Sequence, residues 1–318
     1  MLIDQITDKP KEECGIFGIY SHHEQVGLAT YWGLYSLQHR GQESAGIAVT
    51  DGVEMTLDRG MGLVNEVFRE KVPQLAGHMA IGHVRYSTTG SSLLANTQPL
   101  MVSYAGGQLS MAHNGNLTNA PRIRTELEKK GSVFQTSIDS EVIVNLIARS
   151  EKESLEDKVA ESLLQIEGAY CLVIMTKDKL IGVRDPKGFR PLCLGKINDG
   201  WVVASETCAL DAVGADFVRD VEPGEMVVID ETGVKSIQFA PETAKALCVF
   251  EYIYFARADS VIDGQSVYDA RLAMGRQLAR ESGLKADIVI SVPDSGTPAA
   301  IGFSLESGIP FVEGLMKN

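Results

Sequence analysis

The sequence predicts an α+β protein built from two unlike parts. Over the first ~240 residues, apolar segments of strand length outnumber helical ones and the helical segments come in pairs, which is typical of helices layered on antiparallel sheets. From about Leu247 the pattern changes to a helix, a continuous apolar strand and a second helix, which is typical of a parallel α/β unit. The 318 residues are enough for two domains.

Composition restricts the class of function. The formal net charge of -13 argues against binding to nucleic acid, because phosphate neutralisation needs clustered Lys and Arg. Five cysteines are scattered without a CxxC pair, which favours a reducing compartment and predicts a cytoplasmic protein. Residues 1–13 are polar and have no long apolar core, so they match neither a signal peptide nor a membrane anchor. We expect them to form a pro-segment or a disordered arm.

The first predicted strand, Gly15–Tyr20, follows Cys14 directly. If the chain is cut before Cys14, the thiol and a free α-amine belong to the same residue. The amine titrates near pH ~8 and can take the proton of the attacking thiol, directly or through a water molecule. Cys14 is therefore a candidate terminal nucleophile. The alternative is a buried strand cysteine, since free Cys is among the most buried residue types.

A helix is predicted over Gly27–Gln38, where apolar residues recur at helical spacing. It ends in the turn His39–Gly46, whose glycines bracket polar side chains before a short strand, Ile47–Thr50. This turn could contribute to a polar site. Alternatively, Arg40 is a solvated surface charge, and His39 is expected to be a structural hydrogen-bonding group.

The next strand, Met79–Tyr86, carries His83 and Arg85 and leads into the small-residue loop Ser87–Ser92. An Arg that leaves a strand beside such a loop can hold a carboxylate through two hydrogen bonds, and the loop can close over a ligand. The alternative is an ion pair between Arg85 and a structural carboxylate.

The strand Leu109–Leu117 is predicted to end at Asn114-Gly115, the strongest two-residue turn signal in the chain. A hairpin is one interpretation. The other is an oxyanion hole, because the side-chain amide of Asn114 and the backbone N–H of Gly115 are two neutral donors side by side. A helix of about three turns, from Asn119 to Gly131, follows instead of an equal strand and favours the second interpretation.

The segment Thr136–Glu141 is predicted to cap a helix over Val142–Ala148, and Asp139 within it is interpreted as a capping carboxylate. Further elements are predicted as helices over Leu155–Ile166 and Glu206–Val213, and as strands over Ala169–Met175, Lys179–Val183, Trp201–Ser205, Glu225–Asp230 and Val234–Phe239.

In the second part, an amphipathic helix over Ser266–Glu281 precedes an apolar strand over Ala286–Val292. The turn after this strand, Pro293–Pro298, opens an Ala-rich helix and can present N–H groups to a phosphate. An ordinary turn between a strand and a helix uses the same residue types, so this signal is weak by itself.

Several motifs resemble, in order and spacing, those of the N-terminal-nucleophile glutamine amidotransferases. They are Cys14–Ile19, Leu37–Glu43, Ile81–Thr88, Ala112–Leu117 and Ser137–Glu141. Three further segments are similar to the branch of this family that carries a phosphoribosyltransferase domain, in the form with a cleaved propeptide. They are Asp185–Pro191, Ser205–Asp211 and Phe250–Ser260. The resemblance covers essentially the whole chain.

The resemblance implies a propeptide over residues 1–13, a four-layer αββα glutaminase domain over 14–245 and the N-terminal part of a phosphoribosyltransferase domain over 246–318. It makes Cys14 the nucleophile with its α-amine as base, and Asn114 and Gly115 the oxyanion hole. The other implied sites are a glutamine pocket of Arg85, Asp139, Arg40 and Gly41, and a pyrophosphate loop of Asp294, Ser295, Gly296 and Thr297.

The implied reaction begins with glutamine hydrolysis through a thioester at Cys14. Ammonia then displaces pyrophosphate from phosphoribosylpyrophosphate and gives 5-phosphoribosylamine, the first committed step of purine synthesis. The resemblance also implies Mg²⁺ for the transferase half and a homo-oligomer, a tetramer. The ribose-phosphate strand of the family lies past the position of Asn318, so we expect this chain to perform only the glutaminase half.

Cys248 matches the position of the first iron–sulfur ligand in the cluster-bearing members of the family. One thiolate does not specify a four-iron-four-sulfur cluster, which takes four ligands. A buried structural cysteine is the alternative at this position.

Two other functions are consistent with the same motifs. Another amidotransferase of the class, such as one for glucosamine-6-phosphate or asparagine synthesis, is disfavoured by Phe250–Ser260 and by the α/β unit. A catalytically silent module on the glutaminase fold is disfavoured because the residues of the implied site are all present: Cys14, Arg85, Asn114, Gly115 and Asp139.

Overall fold

The computed structural model describes residues 13–23, 25–69, 75–86, 93–241 and 243–317. Its strands are β1 (Gly15–Tyr20), β2 (Ser44–Thr50), β3 (Met55–Met61), β4 (Met79–Arg85), β5 (Leu100–Tyr104), β6 (Gly107–Leu117), β7 (Gly168–Met175), β8 (Leu180–Arg184), β9 (Cys193–Ile197), β10 (Gly200–Ala204), β11 (Asp216–Asp220), β12 (Glu225–Asp230), β13 (Gly233–Gln238), β14 (Val261–Ile262) and β15 (Gln265–Ser266). Its helices are α1 (Val26–Ser36), α2 (Val64–Phe68), α3 (Ala120–Lys129), α4 (Glu141–Arg149), α5 (Leu155–Leu163), α6 (Thr207–Val213), α7 (Val267–Ser282) and α8 (Gly296–Ser307). Over the described ranges, no helix combines the length and the apolarity needed to cross a membrane.

Two antiparallel sheets lie face to face. The first has seven strands in the order β11-β9-β10-β1-β4-β2-β3, and the second has six in the order β13-β12-β8-β7-β6-β5. Side chains alternate between the two faces of each strand. On β1, for example, Ile16 points into the core between the sheets, whereas Phe17 points to the opposite face.

Helices cover both outer faces of the pair of sheets. Helices α1, α2 and α6 pack on the first sheet, and α3, α4 and α5 pack on the second. Three apolar cores therefore alternate with the layers, one between the sheets and one under each set of helices. This arrangement confirms the four-layer αββα fold.

The Asn114-Gly115 pair does not end a strand, so both the predicted strand end and the hairpin are wrong. Strand β6 continues through it to Leu117, and Gly115 is paired with Tyr170 of β7. Gly115 has φ +148, and a Cβ there would lie 2.0 Å from the carbonyl oxygen of Ala169. A glycine is thus required by the close approach of β7 rather than by a turn.

The sequence analysis missed six strands: β3, β5, β9, β11, β14 and β15. Three of them, β3, β5 and β11, lie at the edges of the two sheets. Edge strands bury less of their surface and carry charged residues, so their alternation of apolar and polar side chains is weak. In β11, for example, Phe217 and Val218 are both exposed.

The second part contains the helical pair α7 and α8, as predicted, but not the predicted strand over 286–292. Only Val289 forms a bridge there, parallel to Phe311. The apolar side chains of Ile288, Ile290 and Val292 are 53%, 46% and 71% exposed. A strand of parallel type needs neighbours on its edges and layers on its faces, and the described residues do not supply them here.

Two predictions lie outside the described residues. The propeptide over 1–13 is one, apart from Glu13, and the pliable loop Ser87–Ser92 is the other.

Candidate active site

The candidate catalytic side chains converge at one end of the space between the sheets. Cys14 precedes β1 and Arg85 ends β4, which is the neighbouring strand, while Asn114 lies on β6 of the opposite sheet. Residues Ile16, Ile81 and Ala112 belong to the core between the sheets. Cys14, Arg85 and Asn114 are each an even number of positions along the chain from the respective member of this set. Because side chains alternate along a strand, all three point into the same layer.

Cys14 is 6% exposed, and its sulfur contacts the backbone of Tyr86. The thiol donates to the carbonyl oxygen of Tyr86 at 3.4 Å, and the Tyr86 N–H points to the sulfur at 3.5 Å. Burial raises the pKa of the thiol to about 11, because desolvation outweighs the bond from the Tyr86 N–H. With Glu13 still attached, Cys14 is therefore a neutral thiol at pH 7.

Asn114 is completely buried, yet its side-chain amide lacks a partner. Neither the nitrogen nor the oxygen of the amide forms a hydrogen bond within the described part of the chain. Leaving such a group unpaired costs about 1–3 kcal/mol. An amide held in this way, in the layer into which Cys14 points, is available to a ligand.

Gly41 is required by a close approach to the end of β4. A Cβ at this position would lie 2.6–2.8 Å from backbone atoms of Arg85. The backbone here is extended, so the constraint is one of space. Gly41 allows the turn after α1 to lie directly on the strand end that carries Arg85.

Arg85 is 2% exposed and already holds a carboxylate. Its Nη1 lies 2.6 Å from Oε1 of Glu43. The ion pair foreseen as an alternative is thus present. A role of Arg85 in holding the α-carboxylate of glutamine stays a prediction.

Asp139 does not cap α4 as predicted, because the N-cap position belongs to Ser140. Its carboxylate instead accepts hydrogen bonds from the N–H of Leu117, at 2.8 Å, and from the N–H of Ser140, at 2.9 Å. These bonds tie the end of β6 to the start of α4. Asp139 is 9% exposed and lies near His113, at 3.9 Å from Nδ1.

Two buried histidines, to which the sequence analysis gave no role, support this end of β6. His83 Nε2 lies 3.0 Å from the carbonyl oxygen of His113, and His113 Nδ1 lies 2.8 Å from Oγ of Ser140. Burial lowers the pKa of His83 to about 3 and also lowers that of His113, so both are neutral at pH 7. Their positions inside apolar strand segments were the available sequence signal.

Arg40 is buried, so its interpretation as a solvated surface charge is wrong. Nη1 lies 2.5 Å from Oε1 of Glu206, and Nη2 lies 2.8 Å from Oε1 of Glu251. Nε donates to the carbonyl oxygen of Cys14 at 3.0 Å. Burial alone would lower the pKa of Arg40, but the two carboxylates raise it above its ordinary value. Its predicted part in the glutamine pocket is not tested by these contacts.

A cavity of about 690 Å³ separates this site from the loop 294–297. Glu13 and His39 line one side, residues 254–259 form a second wall, and Asp294 and Ser295 line the other side. The loop itself begins α8, with Ser295 in the N-cap position and Asp294 paired with Lys317 at 3.0 Å.

Cys248 is the least buried of the five cysteines. It is half-buried, and its backbone N–H donates to the carbonyl oxygen of Phe189 at 3.1 Å. The remaining four cysteines are buried.

Comparison with known proteins gives concordant results. A family model described as a glutamine amidotransferase domain matches residues 83–212. The amidophosphoribosyltransferase of Bacillus subtilis is 50% identical over 309 residues, which are 96% of this chain and 65% of that protein. The amidophosphoribosyltransferase of Archaeoglobus fulgidus is 51% identical over 314 residues, which are 96% of this chain and 67% of that protein.

A solved structure of the B. subtilis glutamine phosphoribosylpyrophosphate amidotransferase, complexed with ADP and GMP, superposes with a TM-score of 0.92 at 50% identity. The match covers 96% of this chain and 66% of that one. The chain thus spans about two thirds of the length of its relatives. At this identity, over nearly all of its own length, the chain belongs to the amidophosphoribosyltransferase family.

Proposed function

We propose that this chain hydrolyses glutamine to glutamate and ammonia at Cys14, as the glutaminase step of an amidophosphoribosyltransferase. The observation that carries the proposal is the buried, unpaired amide of Asn114, which points into the same inter-sheet layer as the Cys14 thiol. A preorganised neutral donor beside a nucleophile is what acyl transfer requires, because negative charge develops on the carbonyl oxygen in the transition state.

The proposed mature chain begins at Cys14, whose α-amine takes the proton of the thiol. The thiolate attacks the amide carbon of glutamine, and Asn114 with the N–H of Gly115 stabilises the oxyanion. The C–N bond breaks, and ammonia leaves with the transferred proton. A water molecule then cleaves the thioester, which releases glutamate and restores the thiol.

The substrate would be held at its α-carbon by opposite charges. Arg85 is proposed to bind the α-carboxylate and Asp139 the α-ammonium, with the Arg40-Gly41 turn as part of the pocket wall. Arg85 already contacts Glu43, so binding of glutamine would require Arg85 to hold the α-carboxylate beside Glu43 or in its place.

Replacing Arg85 by Lys is expected to raise KM for glutamine about tenfold, with a smaller change in kcat. An ammonium ion cannot reproduce the two parallel hydrogen bonds of a guanidinium, and the contact is equally strong in the ground and transition states. Steady-state glutamate release measures both constants. Arg122→Lys, in an exposed pair with Glu126, is the matched control. An unchanged KM in Arg85→Lys would remove Arg85 from the pocket.

In the chain that retains Glu13, burial is expected to keep the thiol of Cys14 protonated. Because its pKa is about 11 with Glu13 attached, alkylation by iodoacetamide should rise about tenfold per pH unit from pH 8 to 10 without levelling off. An unperturbed thiol would level off near pH 9. The extent of alkylation is measured by mass spectrometry on chain in which the Glu13–Cys14 bond is intact. A plateau below pH 9 would contradict the burial argument.

The complete reaction is a further part of the proposal. Ammonia would displace pyrophosphate from phosphoribosylpyrophosphate at a site that includes the loop Asp294, Ser295, Gly296 and Thr297. The cavity of about 690 Å³ that is lined by Asp294 and Ser295 also reaches Glu13, the chain neighbour of Cys14, which supports this part of the proposal. We assign residues 1–13 to the propeptide, 14–245 to the glutaminase domain and 246–318 to the transferase domain. A homo-tetramer and a cytoplasmic location complete the proposal.

Two inorganic groups belong to the proposed whole enzyme. The described residues include no group of three or more His, Cys, Asp or Glu side chains placed to hold a metal ion. A four-iron-four-sulfur cluster needs four ligands, and Cys248 is the one cysteine outside the glutaminase layers. These residues therefore do not make a complete ligand set for the cluster. Mg²⁺ needs no such group, because one or two carboxylates hold it together with water and substrate phosphates, and none of the steps above depends on either metal.

After removal of residues 1–13, the chain is expected to release glutamate from glutamine but no pyrophosphate from phosphoribosylpyrophosphate. Residues 286–292, which precede the phosphate loop, are largely exposed and form a single bridge, so the loop lacks a supporting sheet. Glutamate and pyrophosphate are measured in parallel, with and without phosphoribosylpyrophosphate. The contrary result is glutamate release that phosphoribosylpyrophosphate stimulates, together with stoichiometric release of pyrophosphate. It would show that the described α7–α8 unit is sufficient for the transfer reaction or that a second copy of the chain completes it.

A further inference from the structure

Three buried ionic side chains connect the candidate nucleophile to a segment that follows the glutaminase layers. Arg40 contacts Glu251 through two parallel hydrogen bonds, Nη1 to Oε2 at 3.0 Å and Nη2 to Oε1 at 2.8 Å. Glu206 accepts a third bond from Nη1. The side chains of all three residues are completely buried. The guanidinium is therefore fixed in one orientation.

In this orientation Arg40 holds the backbone of Cys14. Its Nε donates to the Cys14 carbonyl oxygen at 3.0 Å, on the C-terminal side of that residue. Cleavage before Cys14 leaves this carbonyl group in place. The bond can therefore orient the nucleophile in the mature chain as well as in the chain that retains Glu13.

Glu251 comes from outside the four layers. It opens a single helical turn, Glu251–Phe255, whose start and end are held by Arg271 of α7. Nε of Arg271 donates to the carbonyl oxygen of Tyr252 at 2.7 Å, and Nη2 donates to that of Ala256 at 2.8 Å. A continuous series of contacts thus runs from α7 through Glu251 and Arg40 to Cys14.

A second arginine approaches the same carboxylate. Arg190 Nη1 lies 3.4 Å from Oε1 of Glu251, while its Nη2 lies 2.6 Å from Oε1 of Glu13. If Glu13 leaves with the propeptide, Glu251 is the carboxylate in this cluster that remains for Arg190. In the mature chain, Glu251 would then be shared by Arg40 and Arg190.

We infer that Glu251 is a positioning residue for glutamine hydrolysis: it acts through Arg40, whose Nε orients the Cys14 backbone. The inference rests on the proposed function, since it takes Cys14 as the nucleophile. It places part of the glutaminase machinery in the segment 248–256, where the position of α7 can affect the nucleophile. A small misplacement of a reacting group can reduce the rate by about 100-fold.

The test compares Glu251→Gln, Arg40→Lys and the double variant, each expressed as the full chain and shown by intact mass to begin at Cys14. We expect each single variant to lower kcat for glutamate release about 10- to 100-fold with KM for glutamine nearly unchanged. If Glu251 acts through Arg40, the double variant should be no slower than the slower single variant. Multiplying effects, a wild-type kcat in Glu251→Gln or a change confined to KM would each overturn the inference.

Two further variants separate positioning from folding. Glu225→Gln breaks a bidentate but partly exposed pair with Arg219, between β11 and β12, and should lower Tm while kcat stays unchanged. Glu251→Asp keeps the charge but shortens its reach, so it should fold and still show a reduced kcat. Full activity in folded Glu251→Asp would count against the inference.

The inference and the proposed function can fail separately. If Cys14→Ala retains glutamine hydrolysis, the proposed function is wrong. If Cys14→Ala is inactive and Glu251→Gln retains the wild-type kcat, the positioning role alone is wrong.

Discussion

Replacing Cys14 by Ala is expected to abolish glutamine hydrolysis. Without the sulfur there is no nucleophile to form the thioester, and the remaining residues can only bind the substrate. Removing a nucleophile that works together with a base typically lowers kcat about 10⁶-fold. Glutamate release at saturating glutamine measures the loss. If cleavage before Cys14 is autocatalytic, the variant should also retain residues 1–13, which intact-mass measurement detects.

Cys193→Ala is the matched control for this substitution. Cys193 is also a buried strand thiol, with a pKa that burial raises well above the ordinary value, but it lies on β9 and bonds to the carbonyl oxygen of Ala204. We expect the control to hydrolyse glutamine at the wild-type rate. Measurable turnover by folded Cys14→Ala would refute the proposed mechanism, as would an active wild-type preparation that retains Met1.

Local sequence patterns predicted most of the elements that position the site. Strand β1 and helix α1 were recognisable because their apolar residues follow the periods of a strand and a helix. The order of the four layers was implied by the family resemblance rather than by these patterns. The edge strands β3, β5 and β11 were not predicted, because one face of an edge strand need not be apolar.

The error at Asn114-Gly115 has a tertiary cause. This dipeptide is a strong turn signal when only local preferences decide. Here the glycine is needed because β7 approaches within 2.0 Å of where its Cβ would be, and the strand continues. A local preference was overridden by pairing with a strand that lies about 55 residues further along the chain.

The charged partners of Arg40 could not be found from sequence. Glu206 and Glu251 lie 166 and 211 residues away along the chain, so no spacing rule connects them. The available signal was chemical: an Arg between a helix and a strand, beside a glycine, needs carboxylates if it is buried. Whether it is buried depends on the packing of α1 against the layers that surround it.

The strand predicted over 286–292 shows the converse limit. Its continuous run of apolar residues is of the type found in parallel sheets, so composition alone predicts a strand. Its formation depends on hydrogen bonds to other strands. Within the described ranges Val289 pairs with Phe311 alone, so the pattern is present without the structure that it encodes.

Replacing Asn114 by Ala is expected to lower kcat for glutamine hydrolysis by about 10²- to 10³-fold, the usual effect of losing one oxyanion donor. KM should change less, because the donor is needed most when charge develops in the transition state. The protein should not lose stability. The amide is buried and unpaired in the described structure, so its removal relieves a desolvation cost of about 1–3 kcal/mol.

Asn145→Ala, on α4, is the matched control. The side-chain amide of Asn145 donates to the carbonyl oxygen of Glu141 within the same helix, which packs on the outer face of the second sheet, so the same substitution there should leave kcat within about twofold. Glutamate release and thermal unfolding are measured for both variants. A lower Tm with a proportional loss of kcat in Asn114→Ala would indicate a structural amide. A lower kcat with an equal or higher Tm would indicate that the Asn114 amide stabilises the transition state and lowers the stability of the folded protein.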